Sequence, residues 1–240
     1  MIRISNLSVA FDDRSVLDNI SLEIPDGKST VIIGKSGCGK TVLIKSILGL
    51  QAFDEGAIDV EGIIHTPVET EGLKLIRRKI SMVFQNSALF DSMNVYQNVA
   101  FPLVEHTKLS NGEISRIVRE KLEMVGLEGI EEIMPSDLSG GMRKRVGLAR
   151  AIVLEPEYVF YDEPTTGLDP VTSGEIISLI RELSTKNQWA SVIITHDRNV
   201  LKAFPNNIIM LDNGKVIFHG TLEEFNNTQD FVIKSFSNSY

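Results

Sequence analysis

The stretch Gly34-Lys35-Ser36-Gly37-Cys38-Gly39-Lys40-Thr41 fits the spacing G-x-x-x-x-G-K-[ST] at every constrained position, and the chemistry that spacing suits is the gripping of a triphosphate. Glycines let backbone N–H groups curl around an anion with no Cβ in the way, and a helix that starts there turns its positive end to the same charge. Lys40 then reaches the β- and γ-phosphates as a point charge, Thr41 offers its hydroxyl to Mg²⁺, and Val42 closes the ATP-binding run that begins at Gly34. The bland alternative is a Gly-rich turn that only caps a helix. The flanks favour the cradle: Ser29-Thr30-Val31-Ile32-Ile33 reads as a short apolar strand, and residues 42–48 are apolar at helical spacing.

Hydrolysis needs more than a phosphate grip. The apolar run Tyr158-Val159-Phe160-Tyr161 ends in Asp162 and Glu163, at a strand's carboxyl end where ligands collect. Asp162 suits a carboxylate that holds Mg²⁺ through water, and Glu163 a base that polarises the attacking water. Two solvated acids closing a strand is the alternative. Thr195-His196-Asp197 follows another apolar run and brings His196 to the same edge, where it can hydrogen-bond a γ-phosphate and the water; alone, such a histidine is more often structural. His65, His106 and His219 have no comparable setting. Leu138-Ser139-Gly140-Gly141-Met142 precedes a helical stretch, so a serine hydroxyl and exposed N–H groups form a second anion site there, or else a plain turn. One cradle and two such sites in a chain imply that a second subunit supplies the other half.

These residues need a frame. Residues 2–11, 15–24 and 57–61 read as strands of an antiparallel region, whereas from residue 88 to about 155 the texture is helical, with Ile114, Ile117, Val118, Leu122 and Val125 at helical spacing. Strand signals return at 158–161 and 191–195, separated by a helix carrying Ile176, Ile177, Ile180 and Leu183, which predicts a parallel core sheet with helical cover. Asn213-Gly214 between two apolar runs predicts a hairpin, and the last twenty residues one further helix and a tail.

The chain has 240 residues, 42% of them hydrophobic, enough for one large domain with a subdomain inside it. Its formal net charge of −8 argues against nucleic acid as a partner. Arg77-Arg78-Lys79 and Arg143-Lys144-Arg145 are short basic runs, read as solvated helix edges or anion contacts. The single cysteine, Cys38, excludes an internal disulfide and fits a reducing compartment. Strand-like sequence from Ile2 leaves no room for a leader peptide, and no apolar run nears the ~18 residues of a membrane span, so the isolated chain is expected to be soluble.

The set GKSGCGKT, Gln85 within Val83-Phe84-Gln85, LSGGM, YVFYDEP, GLDP and TH, in this order over most of the chain, resembles the nucleotide-binding subunit of an ABC transporter. The resemblance implies a single domain over residues 1–240: an α/β P-loop NTPase (ABC ATPase) core with a parallel sheet, an antiparallel β subdomain and a helical subdomain inserted at about 88–155. It implies roles position by position. Phe11 resembles the aromatic that stacks on adenine, a core phenylalanine being the alternative. Gln85 resembles the loop glutamine that touches Mg²⁺ and the water and senses the membrane subunit. Ser139, Gly140 and Gly141 would contact the γ-phosphate held by a second copy of the chain, and Asp169 resembles the acid that crosses that dimer interface. Glu163 and His196 keep the roles given above.

Met142 stands where the family's signature usually ends in glutamine, which alters contacts to the partner nucleotide's ribose and leaves those to phosphate. Residues 84–107 and 138–151 look most like the Mla-type phospholipid-transport ATPases, a group in which that methionine recurs. That implies an integral membrane permease, an MCE-domain lipid-binding protein and a peripheral position on the cytoplasmic face of the bacterial inner membrane. Phe90, Val95, Val99 and Phe101 are then either docking residues for the permease or core of the insertion. Rivals are an ABC importer for amino acids or another small solute, a soluble non-transport relative, and a phosphotransferase. The last leaves the Ser-Gly-Gly site without a purpose.

Overall fold

Alternation of apolar and polar residues builds the first sheet. Ile2, Ile4, Leu7 and Val9 are buried along β1 (Ile2–Phe11), which pairs antiparallel with both β2 (Arg14–Ile24) and β4 (Glu55–Val60). A three-residue β5 (Ile63–His65) completes the order β2-β1-β4-β5. The chain is described here from a computed structural model covering residues 1–12, 14–68, 70–204 and 206–238.

The second sheet uses β3 (Ser29–Ile33), β6 (Ile80–Val83), β7 (Tyr158–Asp162), β8 (Ala190–Ile194), β9 (Asn207–Asp212) and β10 (Lys215–Gly220), in the order β10-β9-β3-β8-β7-β6. All its pairings are parallel except β9 with β10, a hairpin whose Asn213 and Gly214 both take positive φ, at 46° and 75°. The central strands are buried on both faces, which explains their unbroken apolar runs. The strand period of two sorts their side chains. Ile32, Phe160, Val192 and Ile209 face a core shared with α1 (Lys40–Ile47) and the antiparallel sheet. Val31, Tyr161, Ile193 and Met210 face a second core shared with the helices.

Between β6 and β7 the chain forms α3 (Val95–His106), α4 (Asn111–Met124) and α5 (Gly140–Ile152), after a short α2 (Leu73–Lys79) ahead of β6. Capping boxes start α3 at Asn94 and α4 at Ser110, and Ile114, Val118 and Leu122 bury the apolar stripe of α4. Helix α6 (Pro170–Asn187) covers the same core with Ile176, Ile177, Ile180 and Leu183, and α7 (Arg198–Ala203) follows β8.

One expectation needs correction, one holds only in part, and one open choice can be sorted. The C-terminal stretch forms two helices, α8 (Leu222–Asn227) and α9 (Phe231–Asn238), because Asp230 provides a fresh cap by accepting the N–H groups of Val232 and Ile233. The basic runs are only partly solvated: Arg77, Arg78 and Arg143 are exposed, Lys79 and Arg145 half-buried, and Lys144 buried. Arg77 donates to the carbonyls of Leu48 and Gly49 just past α1, Lys79 pairs with Glu61 and Glu157, and Arg145 spans Val125 O and Glu175. Of the four apolar residues left open above, Val95 and Val99 are core, while Phe90 is 42% exposed and packs on half-buried Phe101 with ring centroids 5.1 Å apart.

Candidate active site

Register brings the chemistry to one edge. Ile194 lies level with both Ile32 and Asp162, and Val83 with Tyr161, so β3, β8, β7 and β6 release their next residues side by side. A cavity of about 470 Å³ opens there, lined by Gly34, Lys35, Ser36, Gly37, Gly39, Lys40, Thr41, Val42, Gln85, Asp162, Glu163 and His196, with Val16, Thr166 and Ile194 completing the wall.

The floor is the start of α1. Gly39 precedes it at φ 104°, where a Cβ would sit 2.5 Å from Leu17 Cδ2, so only glycine fits. This helix has no side-chain cap and no acid in its first turn, whereas Asn94, Ser110, Ser139 and Asp169 cap α3 to α6. Its first N–H groups are therefore left for an anion. Lys40 Nζ donates to Gly34 O at 2.8 Å and Lys35 O at 3.0 Å, curling the loop over its own ammonium. Cys38 is buried behind the loop and does not line the cavity. Burial pushes its thiol up, against the pull of Lys40, so it is a packing residue and not a reactive one.

Opposite the loop stand the acids. Burial first, then the charge of Glu163, raises the Asp162 carboxyl above its ordinary value, while Lys45, Lys40 and a hydrogen bond from Thr41 pull it down. Glu163 takes φ 48°, uncommon for a side chain of its size, and its N–H bonds Ile194 O at 2.9 Å. That twist aims its carboxylate at His196, whose Nδ1 lies 2.9 Å from Oε1. A carboxylate only accepts, so Nδ1 carries the proton and Nε2 is the nitrogen free to face a ligand. His196 is 56% exposed, placed to meet one.

The remaining sequence-derived residues lie elsewhere. Phe11, at the end of β1, is 43% exposed, which rules out the core alternative, and Val16 lines the cavity in its vicinity of the sequence. Ser139 caps α5 by accepting Met142 N–H at 3.2 Å. A Cβ on Gly140 would meet Leu168 at 3.3 Å, and one on Gly141 would meet Thr172 at 2.8 Å, so the first turn of α6 and the residue just ahead of its cap pack on the signature glycines. Met142 is half-buried against the helical core. Asp169 caps α6 through the N–H groups of Val171 and Thr172, and the Thr172 hydroxyl holds its carboxyl below the usual range.

Residues 17–166 match the family described as ABC transporter. This chain is an ATP-binding subunit of that family. The ABC chain is 39% identical over 237 residues to the probable ribonucleotide transport ATP-binding protein mkl of Mycobacterium leprae, covering 99% of this chain and 68% of that one. It is 39% identical over 236 residues to the intermembrane phospholipid transport system ATP-binding protein MlaF of Escherichia coli K12, covering 98% and 88%. In three dimensions it superposes with a TM-score of 0.84 and 31% identity on a dimeric ATP-binding cassette in a post-hydrolysis state bound to ADP and Pi, covering 92% of this chain and 99% of that chain. The ABC chain is an ATPase, and ATP is its nucleotide.

Two features of this ABC ATPase escaped the sequence reading. Strand β6, which delivers Gln85, is four residues long and shows itself only through its pairing with β7. Lys144 is 6% exposed beneath the site, although position 144 shares an i, i+4, i+8 row with buried Leu148 and Ile152. A lysine on that row was the available signal.

Proposed function

We propose that this ABC ATPase drives phospholipid transport between bacterial envelope membranes, working as a head-to-tail pair that seals two ATP molecules between its members. One observation carries the paired arrangement: the cavity holds the loop, Gln85, Asp162, Glu163 and His196 but not Ser139, Gly140 or Gly141, which form a second helix start outside it. A second copy gives that start a γ-phosphate to meet. The dimeric cassette and the phospholipid-transport name of MlaF support the two halves of the reading.

Each residue has a task in this scheme. The 34–42 run binds the phosphates, with Lys40 turning from its own loop to the β- and γ-oxygens, and Phe11 stacks on adenine. Glu163 takes the proton of the attacking water, and His196, donating from Nδ1 to Glu163, meets the γ-phosphate through Nε2–H as an imidazolium. Gln85 orients the water. Asp169 and Met142 lie at the seam between copies. Thr41, Gln85 and Asp162 offer hard oxygens of the kind Mg²⁺ accepts, and all three line the cavity. Bound there, the ion would neutralise phosphate charge. Hydrolysis removes the group both copies grip, and the pair loosens.

Residues 88–155 act as an inserted helical subdomain in a single domain, with the Phe90–Phe101 pair meeting an integral membrane permease at the cytoplasmic face of the inner membrane. An MCE-domain protein completes the complex. Among the described residues no helix is long and apolar enough to cross a membrane, in keeping with a peripheral subunit.

The test uses Glu163→Gln saturated with ATP and Mg²⁺. Sedimentation at the mass of two chains is expected; a variant that stays single even beside its membrane complex overturns the paired site. Subunits that co-purify from detergent-solubilised membrane decide the substrate class. An MCE-domain protein is expected, and a soluble solute-binding protein in its place overturns phospholipid transport.

A further inference from the structure

We propose that Lys144 is a positioning residue for hydrolysis, a buried cation that holds the backbones of Gln85 and Glu163 at one separation and ties both to the helix that starts at Ser139. Its Nζ donates to Gln85 O and lies 3.5 Å from Glu163 O. The side chains of those two residues line the cavity, whereas Lys144 does not. It therefore touches no nucleotide and acts through what it holds.

A buried ammonium is costly unless its protons are taken up, so an apolar residue would be the simpler way to fill this space. What an apolar residue cannot do is grip two carbonyls from different strands. Here one carbonyl comes two residues past β6 and the other one residue past β7, and Lys144 fixes their spacing as a strut would. Burial weakens this ammonium's hold on its proton, and the negative charges of Asp162 and Glu163 oppose that effect without cancelling it.

The same side of α5 grips the segment beyond Gln85. Arg150 donates to Ser87 O at 2.7 Å and Ala88 O at 2.9 Å, and a Cβ on Gly147 would come within 3.1 Å of Ser87 Cβ, so this residue's bareness lets the segment close. Ser87 and Ala88 both take left-handed conformations, φ 60° and 45°. Consecutive strained residues persist only where the surroundings over-determine them. Lys144, Gly147 and Arg150 do this from one helix, and that helix begins at the signature. Movement of Ser139 toward or away from a partner's phosphate is thus carried to Gln85 and Glu163 together.

The inference rests on Glu163 being the base, and the experiment separates the two. ATP turnover is measured for the full chain in its membrane complex, for wild type, Lys144→Met, Lys144→Arg and Glu163→Gln. Lys144→Met should lower kcat by about 10–100-fold, the scale of an ångström-sized misplacement, with KM changed less than about threefold. Lys144→Arg, which keeps charge and donors, should restore most of the rate. Amides of residues 84–91 should exchange faster with deuterium in Lys144→Met. Where that variant does not fold, Lys144→Gln takes its place, with the same split expected. Near-normal kcat in the neutral variant alongside inert Glu163→Gln overturns the positioning role alone. Equal loss of kcat and ATP affinity that arginine does not rescue overturns it in favour of a merely structural lysine. Turnover by Glu163→Gln overturns the base, and this inference with it.

Discussion

Replacing Lys40 with Met separates two tasks that one ammonium performs. Without nucleotide, Nζ donates to Gly34 O and Lys35 O, 2.8 and 3.0 Å away, from a side chain that is almost wholly buried. Hydrogen bonds to a charged group contribute about 1.5–3 kcal/mol each, and part of that offsets desolvation of the ammonium, leaving a loss of about 3 kcal/mol for Lys40→Met. For a chain of this size that is a fall in Tm of about 6–12 °C in the absence of ATP. The second task is read by adding ATP and Mg²⁺. At one hundred times Kd, nucleotide stabilises the wild type by about 2.7 kcal/mol, or roughly 5–11 °C. The variant should show almost none of this. Thermal melts with and without nucleotide, followed by near-ultraviolet circular dichroism, give both numbers from one sample. A variant that melts like wild type without ATP refutes the curled loop; one that ATP stabilises as strongly as wild type refutes the cradle.

Further outcomes follow from the geometry. Glu163→Gln keeps the shape and the acceptor for His196 but removes the base, so phosphate release should fall by about 10²–10⁴ with ATP affinity retained; release within about threefold of wild type rejects the assignment. Asn98 is fully buried, accepts Phe90 N–H and donates to the carbonyls of Phe90, Met93 and Asn94, so Asn98→Ala should cost about 3 kcal/mol and loosen the Phe90 loop, read as lowered Tm and faster exchange at 90–94. Asp162 has a raised carboxyl: its stabilising protonated form is present below the ordinary carboxylate range and is lost as pH rises through the raised value. Once ionised above that raised value, it works against the nucleotide-free fold. Asp162→Asn should therefore raise Tm at pH 8 without ATP or Mg²⁺, by an increment that shrinks on acidification; a lower Tm at pH 8 contradicts the desolvation argument.

The site was legible where local signals coincide with strand ends. The apolar runs before Gly34, Asp162 and Thr195 announce buried strands, and each is followed at once by the residue type its place requires. Gln85 was legible only by resemblance, because β6 is too short to carry a period of its own. The apolar residues at 90–101 could not be sorted without tertiary contacts, since helical spacing puts Val95 and Val99 on one row without saying which way the row faces. The basic runs were only partly legible for a related reason. Charge suggests solvent, yet Arg77, Lys79, Lys144 and Arg145 are held by carbonyls and carboxylates from elements far away in sequence.

Strand β3 ends at the phosphate loop, yet its two neighbours in the sheet, β8 and β9, are translated after every other parallel strand. On a ribosome adding about 5–20 residues per second, the loop emerges and then waits roughly 10–40 s for its flanks. Cellular ATP, though abundant, has no finished seat on the nascent chain until the segment through Asp212 is free. The fold thus defers fuel binding until β9 has emerged, and any deletion that removes β9 would forfeit a cradle encoded far upstream.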